Sequence, residues 1–559
     1  MNAPLWHLRS LVVIAALGAP GWLYAQGAPA PKKPATPAVT SAADTVRTPR
    51  NHVYHFMAQG PGNFTGYLWV PENCAKLRGL LIFSQNVPEQ MIAGHSAIRK
   101  ACADNNLGIF YSAAGFWHGK FGVTKEEKKQ QEKEDTLSLE SMLTALADKS
   151  GYPEVATVPW LPIGESMSFL MVNGLGMGRP NRCIALIYAC DISSWIFTQS
   201  IPILGLQGTG GEWGQKNGDI RELWRQAGGY NKACENRKKS APKALITMLV
   251  DPCGGHFTCS DPMLDYMATY IDRVTKARLS DDGSASLKSI DVNKGFLAHL
   301  PIVGIGEQPI ESAQGATDTG RPWFFTREDA EKAQAIARTN WNAATQFPLV
   351  QAGEGCTVKP WGWNSVTTVA LKTSGEFSFK PFLFDTIPEG FLNAGQPLAK
   401  TTQLHKVEWV SGPIAPLGNN RFCVELDRNY KNGKVQVTSS LGVVAEATAD
   451  IRKSLQPLVV NFSYNTAGTP QTIEFKEIGS VKAGTASVAL DAKASSGLPV
   501  KFFVEAGPAI IEGNRLVFTQ IPLNAKFPLT VTVAAWQWGT CTAPLHQMAI
   551  TYQAFNIIK

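Results

Sequence analysis

Beyond its first 25 residues this 559-residue chain has no stretch long and apolar enough to cross a bilayer, so a helical membrane span is not expected there. Charge is scarce as well: Asp, Glu, Lys and Arg make up 17% of the chain, and the formal net charge of +7 is spread thinly. Without a basic stripe carrying interleaved aromatics, nucleic acid is not an expected partner. No strict internal repeat is visible. An apolar content of 44% with so little charge fits a folded chain. Its length exceeds what one compact core holds, so several domains are expected.

Cysteine is sparse. The ten are Cys74, Cys102, Cys183, Cys190, Cys234, Cys253, Cys259, Cys356, Cys423 and Cys541. An even count permits disulfides but does not fix their pairing. Cys183 and Cys190 bracket the apolar run IALIY and read as core residues.

Residues 1–25 read as an export signal. His7 and Arg9 form a short polar start, Leu11 to Leu17 an apolar core broken by Gly18 and Pro20, and Ala25 a small residue before Gln26. The expected location is therefore the periplasm or the extracellular space. Residues 26–48, rich in Ala, Pro and Thr, read as an extended linker.

From 49 to 280, short apolar runs alternate with helical ones. GYLWVP, GLLIFSQN, LGIFYSAAG, CIALIYAC, IPILGLQG and ALITMLVD read as strands, and LSLESMLTALADKSG and MLDYMATYIDRVTKARL as helices. Continuous apolar strands between helices imply a mostly parallel sheet covered on both faces, an α/β fold. The mixed charge run Lys125 to Asp135 reads as a solvated helix face. Residues 281–364 form a connecting region with one helical stretch. From 365 to 476, alternating Thr, Val and Phe punctuated by Gly, Pro and Asn predict a β-rich domain. Residues 477–559 show short strands at regular spacing with turn signals, the pattern of a small β-sandwich.

One string stands at the junction of a strand and an apolar helix: Gly164-Glu165-Ser166-Met167-Ser168. A serine hydroxyl becomes a nucleophile only when a base takes its proton, and the base needs an acid to hold it. A tight strand-to-helix turn lifts the hydroxyl out of the sheet and aims helix N-terminal amides at the reacting centre. The alternative is a plain helix N-cap. Pro159 and Pro162 sit awkwardly for a central strand and suggest that it is short or begins late. Downstream, LITMLVDPCGGHFTCSD puts His256 on a Gly-Gly turn past another apolar strand, a place suited to a general base. The acid is expected between them. Glu212, directly past IPILGLQG, is the first candidate, Asp219 the second, and Asp191, past CIALIYAC, the third.

This order of serine, acid and histidine on alternating strands and helices resembles the α/β-hydrolase superfamily over roughly residues 50–280. The resemblance implies that one oxyanion donor is the amide of Met167. It places the other on the loop after GLLIFS, with Gln85 or Asn86 as candidates. Glu165 and Ser168 stand where His and Gly are commoner, and the loop lacks a Gly-rich pattern. The terminal portion is similar to immunoglobulin-like modules appended to secreted bacterial proteins.

Cys253, His256 and Cys259 are spaced Cys-x2-His-x2-Cys. Zinc would need a fourth ligand, and none is evident nearby. The preferred expectation is a Cys253–Cys259 disulfide that stiffens the histidine loop, and the site calls for no metal and no cofactor. Trp117 and Trp213 are candidates for the wall of a substrate cleft. The expected function is an exported serine hydrolase acting on carboxylic esters, with acylated polysaccharide or polyester as the substrate class suited to appended β-modules. Two alternatives stay open: an amidase or peptidase using the same triad, and a non-catalytic surface- or glycan-binding protein with a degenerate hydrolase domain.

Overall fold

The structure, a computed structural model, describes residues 52–61, 64–113, 116–117, 123–189, 201–210, 234–235, 237–239, 242–280, 286–301, 309–338, 344, 346–359, 367–372, 375–387, 394–402, 405–428, 436–463, 465–540 and 542–559. The predicted signal and linker lie outside them.

Eight strands form one sheet: β1 (Phe56–Gln59), β2 (Thr65–Trp69), β3 (Gly79–Ser84), β4 (Leu107–Ser112), β5 (Trp160–Glu165), β6 (Leu186–Ala189), β7 (Ile203–Gly210) and β8 (Ile246–Gly255). Their order across the sheet is β1-β2-β4-β3-β5-β6-β7-β8. β1, β2 and β4 pair antiparallel, and every pairing from β4 through β3 to β8 is parallel. Parallel strands need crossovers, and helices supply them. The helices are α1 (Glu89–Gly94), α2 (Ser96–Asp104), α3 (Lys125–Ser150), α4 (Phe169–Gly178), α5 (Asp261–Arg278) and α6 (Arg327–Arg338). α2 packs on α5 and α3 on α4, while β3, β4, β5 and β6 are buried along their whole length, as a sheet covered on both faces requires. This is the α/β-hydrolase fold that the sequence resembles.

The charge run falls where the helical reading puts it. α3 opens with a capping box between Thr124 and Glu127, stays exposed as far as Gln130, then buries Leu139, Met142, Leu143 and Leu146. It ends at Gly151, whose φ of +84° suits a glycine cap. The prolines disturb β5 less than expected. The strand begins at Trp160, and its pairing with β6 is broken at Pro162, between an isolated Trp160–Cys183 bridge and the ladder that starts at Ile163–Ile187. The missing proline N–H thus falls in a gap of the ladder.

The β-rich domain starts earlier than the composition suggests. Pro348–Ala352 and Cys356–Lys359 already belong to its sheets, ahead of the expected boundary at 365. The glycines at 353 and 355 between these short strands make them read as connecting sequence. One sheet has four strands and the other five, the latter in the order Cys356–Lys359, Thr367–Leu371, Ser454–Ser463, Gln436–Ala445 and Lys406–Ser411. A second β-module, from Ile473 to Ile558, holds sheets of two, four and three strands.

Buried Arg428 ties the three parts together. Its guanidinium lies 4.8 Å over Tyr54 and 5.3 Å over Tyr67 of the hydrolase sheet region and 5.2 Å over Phe503 of the last module. It donates to the carbonyls of Glu505 at 2.9 Å and Val504 at 3.0 Å, and the Tyr67 hydroxyl hydrogen-bonds the Glu505 carboxylate. A buried cation needs such partners on every side, so this junction is specific and not a loose tether.

Candidate active site

β5 ends at Glu165, and a single 3-10 turn, Ser166–Ser168, passes directly into α4. Ser166 stands at φ +45°, a conformation that costs a non-glycine residue about 1–3 kcal/mol and persists only where the surroundings enforce it. Gly164 makes the turn possible: a Cβ there would meet the Ser168 carbonyl oxygen at 2.6 Å. The Ser168 hydroxyl donates to the Ser84 carbonyl at 3.0 Å, fastening the turn to the end of β3.

The histidine comes from the next-but-two strand. β7 and β8 draw unusually close at their C-terminal ends, where a Cβ on Gly208 would meet Gly254 at 2.6 Å. Gly210 pairs with Gly255, and His256 follows at once. Hydrogen bonds pin the loop beyond it. Asp251 accepts from the Cys253 amide at 2.8 Å and from the Ser260 hydroxyl, and Thr258 Oγ1 accepts from the Gly255 amide at 3.1 Å. Burial raises the Asp251 carboxyl above its usual range, an effect opposed by these donors and by Lys453. The imidazole packs edge-on against Phe257, 4.4 Å between ring centres. Its Nε2 lies 3.2 Å from Ser166 Oγ. Two side chains 90 residues apart are thus within hydrogen-bonding reach at one edge of the sheet.

Two carboxylates that the sequence reading gave no catalytic place organise this edge. Glu89, on α1 and fully buried, accepts from the Asn86 amide at 2.9 Å and the Val87 amide at 2.8 Å with one oxygen. Its other oxygen accepts from the Glu165 amide at 2.9 Å. One side chain therefore joins the loop after β3 to the residue before the serine. Burial pushes its carboxyl upward, and the amides offset part of that rise. Glu165 is 0% exposed. Asn86 Nδ2 donates to its carbonyl at 3.1 Å and to Oε2 at 2.9 Å, while Oε1 faces His256 Nε2 at 3.7 Å.

The remaining expected residues divide sharply. Met167 is the residue after Ser166, at the start of the helical turn, where the resemblance wants a donor amide. Gln85 and Asn86 are occupied otherwise: the Gln85 amide donates to the Ser112 carbonyl at 3.0 Å, and the Asn86 amide to Glu89. Glu89 gathers the Asn86 and Val87 amides inward, while the Gln85 amide prolongs the pairing of β3 with β4. Trp117 packs its indole over Gly174, in the second turn of α4, and there fills space that a Cβ would occupy. Glu212, Asp219, Asp191 and Trp213 lie outside the described residues; the strand leading to Glu212 ends at Gly210, beside Gly255. The expected Cys253–Cys259 disulfide is replaced by free, buried thiols. Hydrogen bonds through Asp251 and Thr258 already stiffen the loop, and burial pushes the Cys253 thiol up to about 12. Cys74, Cys102, Cys183 and Cys356 are free and buried as well.

No family model matches the chain, and no curated protein sequence matches it. Among solved structures, it is similar to a dienelactone hydrolase from Anabaena variabilis, at 14% identity over 41% of this chain and 98% of that one, with a TM-score of 0.25. It is similar to an S-formylglutathione hydrolase from Agrobacterium tumefaciens at 13% identity, over 40% of this chain and 93% of that one, with a TM-score of 0.26. It is also similar to a two-repeat fragment of human protocadherin-24 at 11% identity, over 31% of this chain and 92% of that one, with a TM-score of 0.14. The fold is assigned on the strand order and the serine turn.

Proposed function

We propose that this chain is a serine hydrolase that cleaves carboxylic esters through an acyl-enzyme. The observation that carries the reading is Ser166, held at φ +45° on a strand-to-helix turn with its Oγ 3.2 Å from His256 Nε2. Strain at a buried polar residue is retained where it aims a reactive atom. In the proposed reaction His256 takes the Ser166 proton as Oγ attacks the ester carbonyl. The Met167 amide receives the oxyanion. The imidazolium then protonates the leaving alcohol, and water, deprotonated by His256, releases the acid. Glu212, just past β7, is the proposed partner that orients the imidazole.

The two side chains that depart from the commoner pattern favour an intact site over a degenerate one. Ser168 fastens the turn to β3, and Glu165 is locked by Asn86 and Glu89. Export and a substrate on acylated polysaccharide or polyester belong to the proposal as the chain's expected setting. The test is turnover of p-nitrophenyl acetate. Wild-type protein is expected to show a burst followed by steady turnover, and Ser166→Ala neither. Turnover that survives Ser166→Ala overturns the reading.

A further inference from the structure

The β-domain that follows the hydrolase sheet touches both catalytic loops. Its strand Lys406–Ser411 turns into Ile414–Gly418 through Gly412, at φ +90° and so close to the Gln436–Ala445 strand that a Cβ would meet Ser439 Cα at 2.7 Å. Only glycine fits there. The Gly412 amide donates to Gln90 Oε1 at 3.0 Å. Gln90 is buried on α1, next to Glu89.

The same turn also holds the far end of α1. Trp409 donates from Nε1 to the Gly412 carbonyl at 3.0 Å and lies edge-on to His52, 5.6 Å between ring centres. The His52 ring in turn covers Gly94, filling the place of a Cβ. A six-residue helix has little stability of its own and takes its position from what packs on it. Across the site, Gly442 faces Thr258, whose methyl group would be 3.5 Å from a Cβ at 442. Thr258 is the residue that accepts the Gly255 amide beside His256.

We infer that this β-domain is a second scaffold of the catalytic site, and that Gln90 is the positioning residue through which it sets the nucleophile turn. The route is short and continuous. The Gly412 amide holds Gln90, α1 carries Glu89, and Glu89 holds the amides of Asn86, Val87 and Glu165. The domain is therefore not merely an appended binding module that leaves the chemistry alone. A displacement of α1 moves Glu165, and with it Ser166, relative to His256. Misplacement of reacting groups by an ångström costs up to about a hundredfold in rate.

The inference rests on Ser166 being the nucleophile, and the experiment separates the two claims. The second-order rate of labelling by a fluorophosphonate is measured on the full chain, wild type and variants, with thermal melting as the control for folding. Gln90→Leu removes the acceptor at similar volume and is expected to label at least about tenfold more slowly while still melting cooperatively. Gln90→Glu keeps an acceptor for the Gly412 amide and is expected to label at the wild-type rate, a rescue that packing alone does not explain. Should Gln90→Leu fail to fold, Gln90→Asn, too short to reach Gly412, carries the same expectation. A folded Gln90→Leu or Gln90→Asn that labels like wild type overturns the positioning role and leaves the nucleophile standing. A wild-type protein that does not label overturns both.

Discussion

Glu165 Oε1 lies 3.7 Å from His256 Nε2, the nitrogen that also faces Ser166 Oγ at 3.2 Å. A buried carboxylate beside an imidazole favours the protonated ring, the state formed when the serine gives up its proton. In the proposed reaction the ring starts neutral, so kcat/KM falls at acid pH where the imidazole is protonated. Glu165→Gln keeps an acceptor for Asn86 but removes the charge. The account predicts that the acid limb of kcat/KM moves to lower pH. Glu89 and Asp251, the other buried carboxylates of these loops, are unchanged in the variant, so the difference isolates residue 165. An acid limb that stays in place contradicts a charged Glu165.

The strained backbone at Ser166 predicts an unusual pairing of effects. Glycine adopts φ +45° without penalty, so Ser166→Gly is expected to raise stability by about 1 kcal/mol while abolishing ester turnover. Urea unfolding followed by circular dichroism reads the first, and p-nitrophenyl acetate the second. A Ser166→Gly protein less stable than wild type would mean that the turn stores no strain.

Glu89 holds three backbone amides in a buried place, and Glu89→Ala leaves all three without that acceptor. An unsatisfied buried donor costs about 1–3 kcal/mol, so a loss of roughly 3 kcal/mol or more is expected in the urea midpoint analysis. Loss of less than about 1 kcal/mol would show that the loop after β3 finds other partners.

His55 supplies a pH dependence. It is buried, accepts from the Val70 amide at 3.2 Å, and burial, then the Arg99 charge, lower its pKa to about 3. Its ordinary pKa is about 6.5, so between these values the unfolded chain binds the proton that the folded chain refuses. Stability therefore falls as pH drops from about 6.5 toward 3, with a slope from this group of up to about 1.4 kcal/mol per pH unit. Glu89 and Asp251, raised by burial, act in the opposite sense as pH rises. Comparing wild type with His55→Asn isolates the histidine. The variant is expected to melt with a visibly flatter acid dependence, and equal slopes would contradict the assignment.

The parallel sheet was legible because β3, β6, β7 and β8 are continuous apolar runs, and the burial of both faces demands that pattern. Ser166 and His256 were legible because each sits past a strand end beside glycines, and those glycines are needed: Gly164 against Ser168, and Gly208 against Gly254. Glu89 was not legible. It follows a proline on a short helix, and nothing in its neighbours says that three amides converge on it. Glu165 drew notice only as an unusual residue before the serine, and its partners, Asn86 and His256, come from distant segments. The role of Gln90 depends on Gly412, 322 positions away, a distance over which local pattern carries no signal. The disulfide expectation failed because cysteine spacing alone does not say whether two thiols pair, and Cys253 and Cys259 are both free.

The measurement that bears most directly on the central claim is intact-mass analysis of the full chain after fluorophosphonate treatment, followed by peptide mapping. The account predicts one adduct, located on Ser166, absent in Ser166→Ala and strongly slowed in His256→Ala. No adduct on the wild-type protein, or an adduct that persists at another residue in Ser166→Ala, would contradict it.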